Sequence, residues 1–199
     1  MTPPEGDGAA VAPIEPVDAD IDHPVLNRVF DGFRDRGREV PLLYRMLGNA
    51  PAMLDAWVQM AWPLRSEPET DRGLRELLIM RTALLTRSSF EWQAHWPAAV
   101  RAGVTEAQLE ALGDWEGSPE FSAAERAALA CAGEIVLDGG ASPGSVGRLR
   151  EFFSAGECIE LILTTSFYVC VARTLQSLGI EADPEAVGDA LAVYSRLTR

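Results

Sequence analysis

The 199-residue chain contains no lysine, and all 17 of its basic residues are arginine. Schiff-base aldolases, pyridoxal phosphate enzymes and P-loop proteins all need a lysine amine, so these classes are excluded. Only two histidines are present, His23 and His95. This number is too small for a histidine-rich metal site, and the HExxH zinc motif is absent, so no metal site is expected.

Cysteine is also scarce. The three cysteines, Cys131, Cys158 and Cys170, form no CxxC pair, so neither a thioredoxin-like redox motif nor a cysteine-rich zinc site is expected. Their odd number, together with the lack of a signal peptide, predicts a cytoplasmic protein with reduced thiols.

Positive charge and long apolar runs are limited as well. The formal net charge is −13, which argues against nucleic acid or an anionic membrane surface as a partner. The longest uncharged, proline-free run in the apolar C-terminal half, residues 161–172, is 12 residues long. It is too short to span a bilayer, so no membrane partner is expected.

Two regions differ in composition. Residues 1–21 are rich in proline and acidic residues and hold no basic or aromatic residue, which predicts a mobile tail that cannot bury enough apolar surface to fold. From residue 22 onward, apolar residues recur at helical spacing, while strand-like alternation and hairpin turns are scarce. The sequence therefore predicts one all-α domain, a helical bundle, over residues 22–199.

Capping signals place several of the helices. Thr105 with Gln108 and Ser122 with Glu125 form capping boxes, in which each side chain bonds the other residue's backbone N–H. The pattern predicts helices over approximately 22–33, 40–46, 51–62, 71–87, 90–102, 105–113, 122–137, a short helix from 142, 157–178 and 184–197.

The segment from Ser88 to Pro97 carries the clearest chemistry. Ser88, Glu91 and His95 fall at i, i+3 and i+7 and therefore share one helix face. A carboxylate four residues before an imidazole can orient it and raise its pKa, as a proton shuttle requires. The alternative is that this face is a solvated surface of the helix. Trp92, beside it, either walls an apolar substrate pocket or packs in the core.

A later apolar helix is interrupted by hydroxyls. Buried hydroxyls need hydrogen-bond partners, and those of Thr164, Thr165 and Tyr168 either bond back to their own helix or line the same pocket as His95.

Four segments, taken together, resemble the carboxymuconolactone decarboxylase family, which also contains the alkylhydroperoxidase D proteins. These segments are residues 75–81 (RELLIMR), 91–95 (EWQAH), 102–105 (AGVT) and 167–173 (FYVCVAR). The resemblance covers approximately residues 40–180. It implies the all-α helical bundle of this superfamily, without a cofactor, in a homo-oligomer such as a dimer, trimer or hexamer.

The resemblance also assigns positions. The peroxidase branch carries C-x-x-C-x-x-x-H, and its two thiol positions fall here on Ser88 and Glu91, while the upstream glutamate falls on Glu76. Serine and glutamate cannot cycle through a disulfide. The proton-relay groups are therefore present, whereas the redox sulfurs are absent.

These observations favour a cofactor-independent acid–base enzyme that acts on a small, carboxylated or lactone-containing substrate. His95 would transfer the proton, with Glu76 and Glu91 tuning it. Arg81, or else Arg173, would hold a substrate carboxylate, because arginine offers a planar fork for it.

Ser88, Trp92 and Tyr168 complete the predicted substrate-binding set. Decarboxylation, isomerisation and dehydration remain open. The alternatives are a non-catalytic homo-oligomeric binding protein and a peroxidase-like oxidoreductase.

Overall fold

The computed structural model describes residues 14–183 and 189–199. Within these ranges it contains helices and no strand, which confirms the predicted all-α fold. The helices are Pro24–Arg34 (α1), Leu42–Leu47 (α2), Pro51–Ser66 (α3), Arg72–Thr86 (α4), Ser89–Arg101 (α5), Glu106–Ala111 (α6), Ala123–Leu137 (α7), Pro143–Leu149 (α8), Ala155–Ser177 (α9) and Asp189–Leu197 (α10), with a 3₁₀ turn at Leu112–Asp114 after α6.

The chain divides into two compact units, residues 1–56 and 57–199. In the first unit the Val17 backbone N–H donates to the Arg45 carbonyl at 3.1 Å, and Arg45 Nε donates to the Val17 carbonyl at 2.9 Å. Residues 1–13 of the predicted mobile tail lie outside the described residues. The boundary predicted after residue 21 stays a prediction.

The second unit is built around α4. This helix packs against α5, α7 and α9, while α7 also packs on α8 and α9 and α10 packs on α5. Almost all of α4 is buried, as its broad apolar surface predicts for a core helix. The fully buried side chains of this core include Leu77, Leu78, Met80, Trp92, Leu109, Leu112, Leu129, Leu149 and Leu161.

The helix starts follow the capping signals. Both predicted capping boxes are confirmed, Thr105–Gln108 at α6 and Ser122–Glu125 at α7. The helix predicted from residue 157 begins two residues earlier, because Ser154 and Glu157 form a third capping box that opens α9 at Ala155. Of the predicted last helix, residues 189–197 are described, and residues 184–188 lie outside the described ranges.

By length and composition alone, helix α9 is long and apolar enough to cross a membrane. Half of its most apolar 18-residue stretch is buried inside the protein. Its contacts with α4 and α7 and the burial of Leu161, Val171 and Leu175 are those of a core helix.

The core can be tested with two leucines of α7. Leu129 is fully buried, whereas Leu137 is 64% exposed. Leu129→Ala leaves a cavity and should lower the free energy of unfolding by about 2–5 kcal/mol. The matched variant Leu137→Ala should change it by less than about 0.5 kcal/mol. Urea denaturation measures both, and equal losses in the two variants would contradict this packing.

Candidate acid–base site

A tight helical hairpin brings the two halves of the site together. Helix α4 ends at Arg87, which takes the left-handed conformation with φ of 58°, and Ser88 immediately caps α5. Two residues between helices force the helices to run antiparallel and adjacent. Glu76 on α4 therefore faces His95 on α5.

His95 lies between two carboxylates. Its Nδ1 is 2.8 Å from Glu76 Oε2, and its Nε2 is 3.6 Å from Glu91 Oε2. The exposed fractions of the three side chains are 12% for His95, zero for Glu76 and 6% for Glu91. The three groups predicted to be catalytic thus converge in one largely buried cluster, and the sequence alternative of a solvated helix face does not describe them.

Glu76 carries its charge in a buried position. Burial by itself would raise the pKa of Glu76, but the hydrogen bond and charge of His95 and the charge of Arg72 outweigh it, so the pKa lies below its ordinary value. Arg72, one turn earlier on α4, reaches Glu76 Oε1 with its guanidinium. Glu76 is therefore a carboxylate held by the Arg72 guanidinium and a ring N–H of His95, and such partners are what a buried charge requires.

Glu91 behaves in the opposite way. Burial raises the pKa of Glu91, and the nearby Glu76 charge adds to the increase, while His95 and Arg65 oppose it. Its Oε2 is buried and has no hydrogen-bond partner. The cap of α5 fixes its backbone, because Ser88 Oγ accepts the Glu91 N–H at 3.4 Å. Burial thus makes the Glu91 carboxyl harder to ionise than an exposed one, beside an imidazole nitrogen.

The two carboxylates determine which nitrogen of His95 reacts. A carboxylate can only accept a hydrogen bond, so Nδ1–H of His95 donates to Glu76. In the neutral imidazole this leaves the lone pair on Nε2, which faces Glu91. The arrangement can take up a proton at Nε2 and stabilise the resulting imidazolium between Glu76 and Glu91.

A third helix completes the cluster. The Tyr168 ring of α9 meets the His95 ring edge to face, with centroids 4.9 Å apart. Tyr168 is 2% exposed, and its hydroxyl oxygen accepts a hydrogen bond from Arg65 Nε of α3 at 3.4 Å. Tyr168, predicted as part of the site, therefore lies against the His95 imidazole.

Three predicted substrate-binding residues lie elsewhere. Arg81 donates to the Leu112 carbonyl at 2.7 Å and stacks over Trp115, with its carbon Cζ 6.0 Å from the ring centroid. Trp92 is fully buried, and its indole N–H donates to the Ala190 carbonyl at 2.7 Å, so it is a core residue and not a pocket wall.

The third of these residues, Arg173, lies near the end of α9 and has partners of its own there. Arg173 donates to Gln176 Oε1 at 3.1 Å and to the Thr86 carbonyl at 3.5 Å. These contacts tie the last turns of α9 to the end of α4. The structure thus gives Arg81 and Arg173 packing and capping partners in place of a shared position beside His95.

The cysteines stand apart from the cluster. Cys131 and Cys158 are buried and Cys170 is exposed on α9, and burial raises the pKa of the Cys131 thiol to about 11. None of the three is among the contacts of His95, Glu76 or Glu91 in the described part of the chain. Residues 14–183 and 189–199 contain no group of three or more histidine, cysteine, aspartate or glutamate side chains able to hold a metal ion.

Two arginines that contact the cluster, Arg72 and Arg65, were not predicted from the sequence. Arg72 could have been found, because it lies four residues before Glu76 and such pairs share a helix face. Arg65 carries no comparable signal, since its partner Tyr168 is 103 positions away.

The family resemblance found in the sequence is supported by a family model over part of the chain. Residues 51–134 match the model of the carboxymuconolactone decarboxylase family. This segment runs from α3 into α7 and holds Glu76, Glu91 and His95. No curated protein matches the chain.

Solved structures share the fold. The debrominase Bmp8, as a variant bound to 2,3,4-tribromopyrrole, has a TM-score of 0.75 and 17% identity, covering 94% of this chain and 98% of its own. An uncharacterized peroxidase-related protein from Silicibacter sp. TM1040 has a TM-score of 0.71 and 18% identity, covering 90% and 98%. An alkylhydroperoxidase AhpD core protein from Ralstonia eutropha JMP134 has a TM-score of 0.70 and 16% identity, covering 88% and 96%. At identities this low, the structural matches show a common fold alone.

The opposite pKa shifts of the two glutamates predict opposite effects on stability. Glu76, with its lowered pKa, stabilises the fold above the ordinary carboxyl pKa, and this stabilisation is lost as pH falls through the folded value. Glu91, with its raised pKa, costs stability as pH rises from the ordinary value through the folded one. At pH 7, Glu76→Gln should therefore lower the free energy of unfolding by about 3–5 kcal/mol, whereas Glu91→Gln should leave it unchanged or raise it.

Urea denaturation between pH 4 and pH 8 measures both effects. Glu151→Gln serves as the control, because Glu151 forms an exposed pair with Arg148 that should contribute about 0–1 kcal/mol. A Glu91→Gln variant that loses as much stability as Glu76→Gln at neutral pH would contradict the assignment.

Proposed function

We propose that this chain, whose residues 51–134 belong to the carboxymuconolactone decarboxylase family, is an acid–base enzyme that acts on a small organic substrate. The family match and the named enzymes among the structural neighbours favour an enzyme. The observation that carries the proposal is the buried contact of one imidazole with two glutamates of opposite pKa shift. Such pairs identify the acid and base of a site.

His95 is the proton carrier in this proposal. For proton abstraction, Nε2 accepts a proton from a substrate carbon and the imidazolium is stabilised by Glu76, which keeps the ring oriented. For proton delivery, Nε2–H gives its proton to carbon. Glu91, whose Oε2 lies 3.6 Å from Nε2, then passes a proton back to Nε2. A positioned acid or base of this kind accelerates a reaction by about 10²–10⁴-fold.

Decarboxylation is the reaction we propose first. The C–C bond to a substrate carboxylate breaks, CO₂ leaves, and the electron pair stays on the substrate as an enolate. A proton that Nε2 has received from Glu91 then bonds to the α-carbon. Isomerisation and dehydration use the same proton transfers and are the alternatives within this class. The family resemblance implies that no cofactor takes part.

A peroxidase-like activity is a second candidate, favoured only by the peroxidase-related neighbours. Ser88 and Glu91 occupy the family's thiol positions, and neither can form a disulfide. Peroxide consumption with a dithiol donor should therefore stay at the level of a variant with Cys131, Cys158 and Cys170 all changed to serine. Consumption that disappears with the three sulfurs would restore the peroxidase proposal.

The proposal also covers assembly and location. We propose that the protein is cytoplasmic and that it forms a homo-oligomer. The exposed apolar side chains Ile159 and Leu163 on one face of α9 support the homo-oligomer, since exposed apolar surface is typical of association sites. Light scattering after gel filtration measures the mass directly. A monomer at micromolar concentration would contradict the homo-oligomer.

The proton carrier is tested by His95→Gln. Turnover of carboxylated lactones and β-keto acids is followed by CO₂ release and by deuterium uptake into product from D₂O. Glutamine cannot exchange a proton at Nε2, so turnover should fall by about 10²–10⁴-fold.

The other histidine provides the matched control. His23 caps α1 through Nδ1, and His23→Gln should retain turnover. Near wild-type turnover in folded His95→Gln would overturn the mechanism. A binding protein without catalysis would return every compound unchanged, with and without His95.

A further inference from the structure

The Tyr168 side chain has hydrogen-bonding capacity that the protein does not use. A phenol accepts through its oxygen and donates one O–H. The oxygen of Tyr168 accepts from Arg65 Nε, and the O–H proton has no acceptor among the described residues. One helical turn earlier on the same face, the buried Thr164 Oγ1 also lacks a partner. Buried polar groups are normally hydrogen-bonded. Two buried hydroxyls on one face of α9 that donate no hydrogen bond to a described residue therefore indicate a role other than packing.

Charge is distributed unevenly around the His95 and Tyr168 rings. The charged Glu76 bonds Nδ1 of His95, whereas the Arg65 guanidinium bonds the hydroxyl of Tyr168. Negative charge that develops on a bound molecule is therefore favoured at the Tyr168 hydroxyl. The two ring centroids are 4.9 Å apart, a separation that lies within the length of one small organic molecule.

We infer that Tyr168, positioned by Arg65, is the hydrogen-bond donor that stabilises the substrate oxyanion formed when His95 moves a proton at carbon. The inference rests on the proposed acid–base function and adds the chemical class of the substrate: a compound whose carbonyl or lactone oxygen takes up the charge as an enolate. Preorganised donors aimed at developing charge supply a large share of many rate enhancements. No bond to Tyr168 is made or broken.

The protonation state of Tyr168 agrees with this role. Burial raises the pKa of Tyr168 to about 12, although Arg65 acts in the opposite direction. The phenol is therefore neutral at pH 7 and serves as a donor and not as a base. Arg65 acts through Tyr168, and we assign it a positioning role.

Substituted phenols test the inference without knowledge of the substrate, because a bound phenolate mimics an enolate oxygen. The probe is 4-nitrophenol, whose ionised form absorbs visible light. One pH unit below its solution pKa, about one-tenth of the free probe is ionised. Bound to the wild-type chain, most of it should be phenolate, and Tyr168→Phe should weaken binding about ten- to hundredfold.

Three further variants separate positioning from structure. Arg65→Gln should lower the ionised fraction of the bound probe, and Arg65→Lys should restore part of it. Tyr194→Phe, on α10, and Arg148→Gln, exposed on α8, should behave as wild type. Circular dichroism confirms that each variant is folded.

Binding of the neutral phenol, no binding at millimolar concentration, or unchanged phenolate binding by Tyr168→Phe would each overturn the donor role. This outcome is independent of turnover by His95→Gln, since the probe is not transformed. Phenolate binding without His95-dependent turnover would therefore retain the oxyanion donor and reject the acid–base enzyme.

Discussion

The bond between Glu76 and His95 is the interaction on which the rest of the site depends. A fully buried carboxylate is costly unless it is paired and hydrogen-bonded, and Glu76 is paired on both sides, by His95 at 2.8 Å and by Arg72. This pairing locks α5 against α4 and holds one ring nitrogen as a donor. The other nitrogen, Nε2, is thereby left to face Glu91.

Two glutamates at almost equal depth acquire different chemistry from their partners. Glu76 has the Arg72 guanidinium and the His95 ring in contact, so its pKa falls in spite of burial. Glu91 has an imidazole nitrogen at 3.6 Å and an oxygen without a hydrogen bond, so burial dominates and its pKa rises. Glu91, at the position that the resemblance assigns to a family thiol, is thus a group that can hold a proton but cannot form a disulfide.

The helices could be predicted from the sequence because their signals are local. Apolar spacing and the boxes at Thr105 and Ser122 depend on residues within one turn of each other. The pairing of Glu91 with His95 also follows from a spacing of four. Glu76, in contrast, could be placed only through the family resemblance. Its contact with His95 crosses the hairpin between α4 and α5, so no spacing within one helix reveals it.

The remaining residues required tertiary packing. Helix α4 is buried almost all round, so its pattern could not show that Arg72 faces the site while Arg81 faces Leu112 and Trp115. Trp92 is one residue from Glu91, yet its indole N–H bonds α10, which no spacing rule within α5 reveals. Arg65 reaches Tyr168 across 103 positions, and only the packing of α3 against α9 brings them together.

The most direct measurement of the central claim is the tautomer of His95 by long-range ¹H–¹⁵N NMR. The chain has two histidines, so His95→Gln assigns both spectra, and His23 serves as an internal reference. The account predicts that neutral His95 carries its proton on Nδ1, which donates to Glu76, and that Glu76→Gln disturbs this preference. A proton on Nε2, or the averaged tautomers of an exposed imidazole, would contradict it.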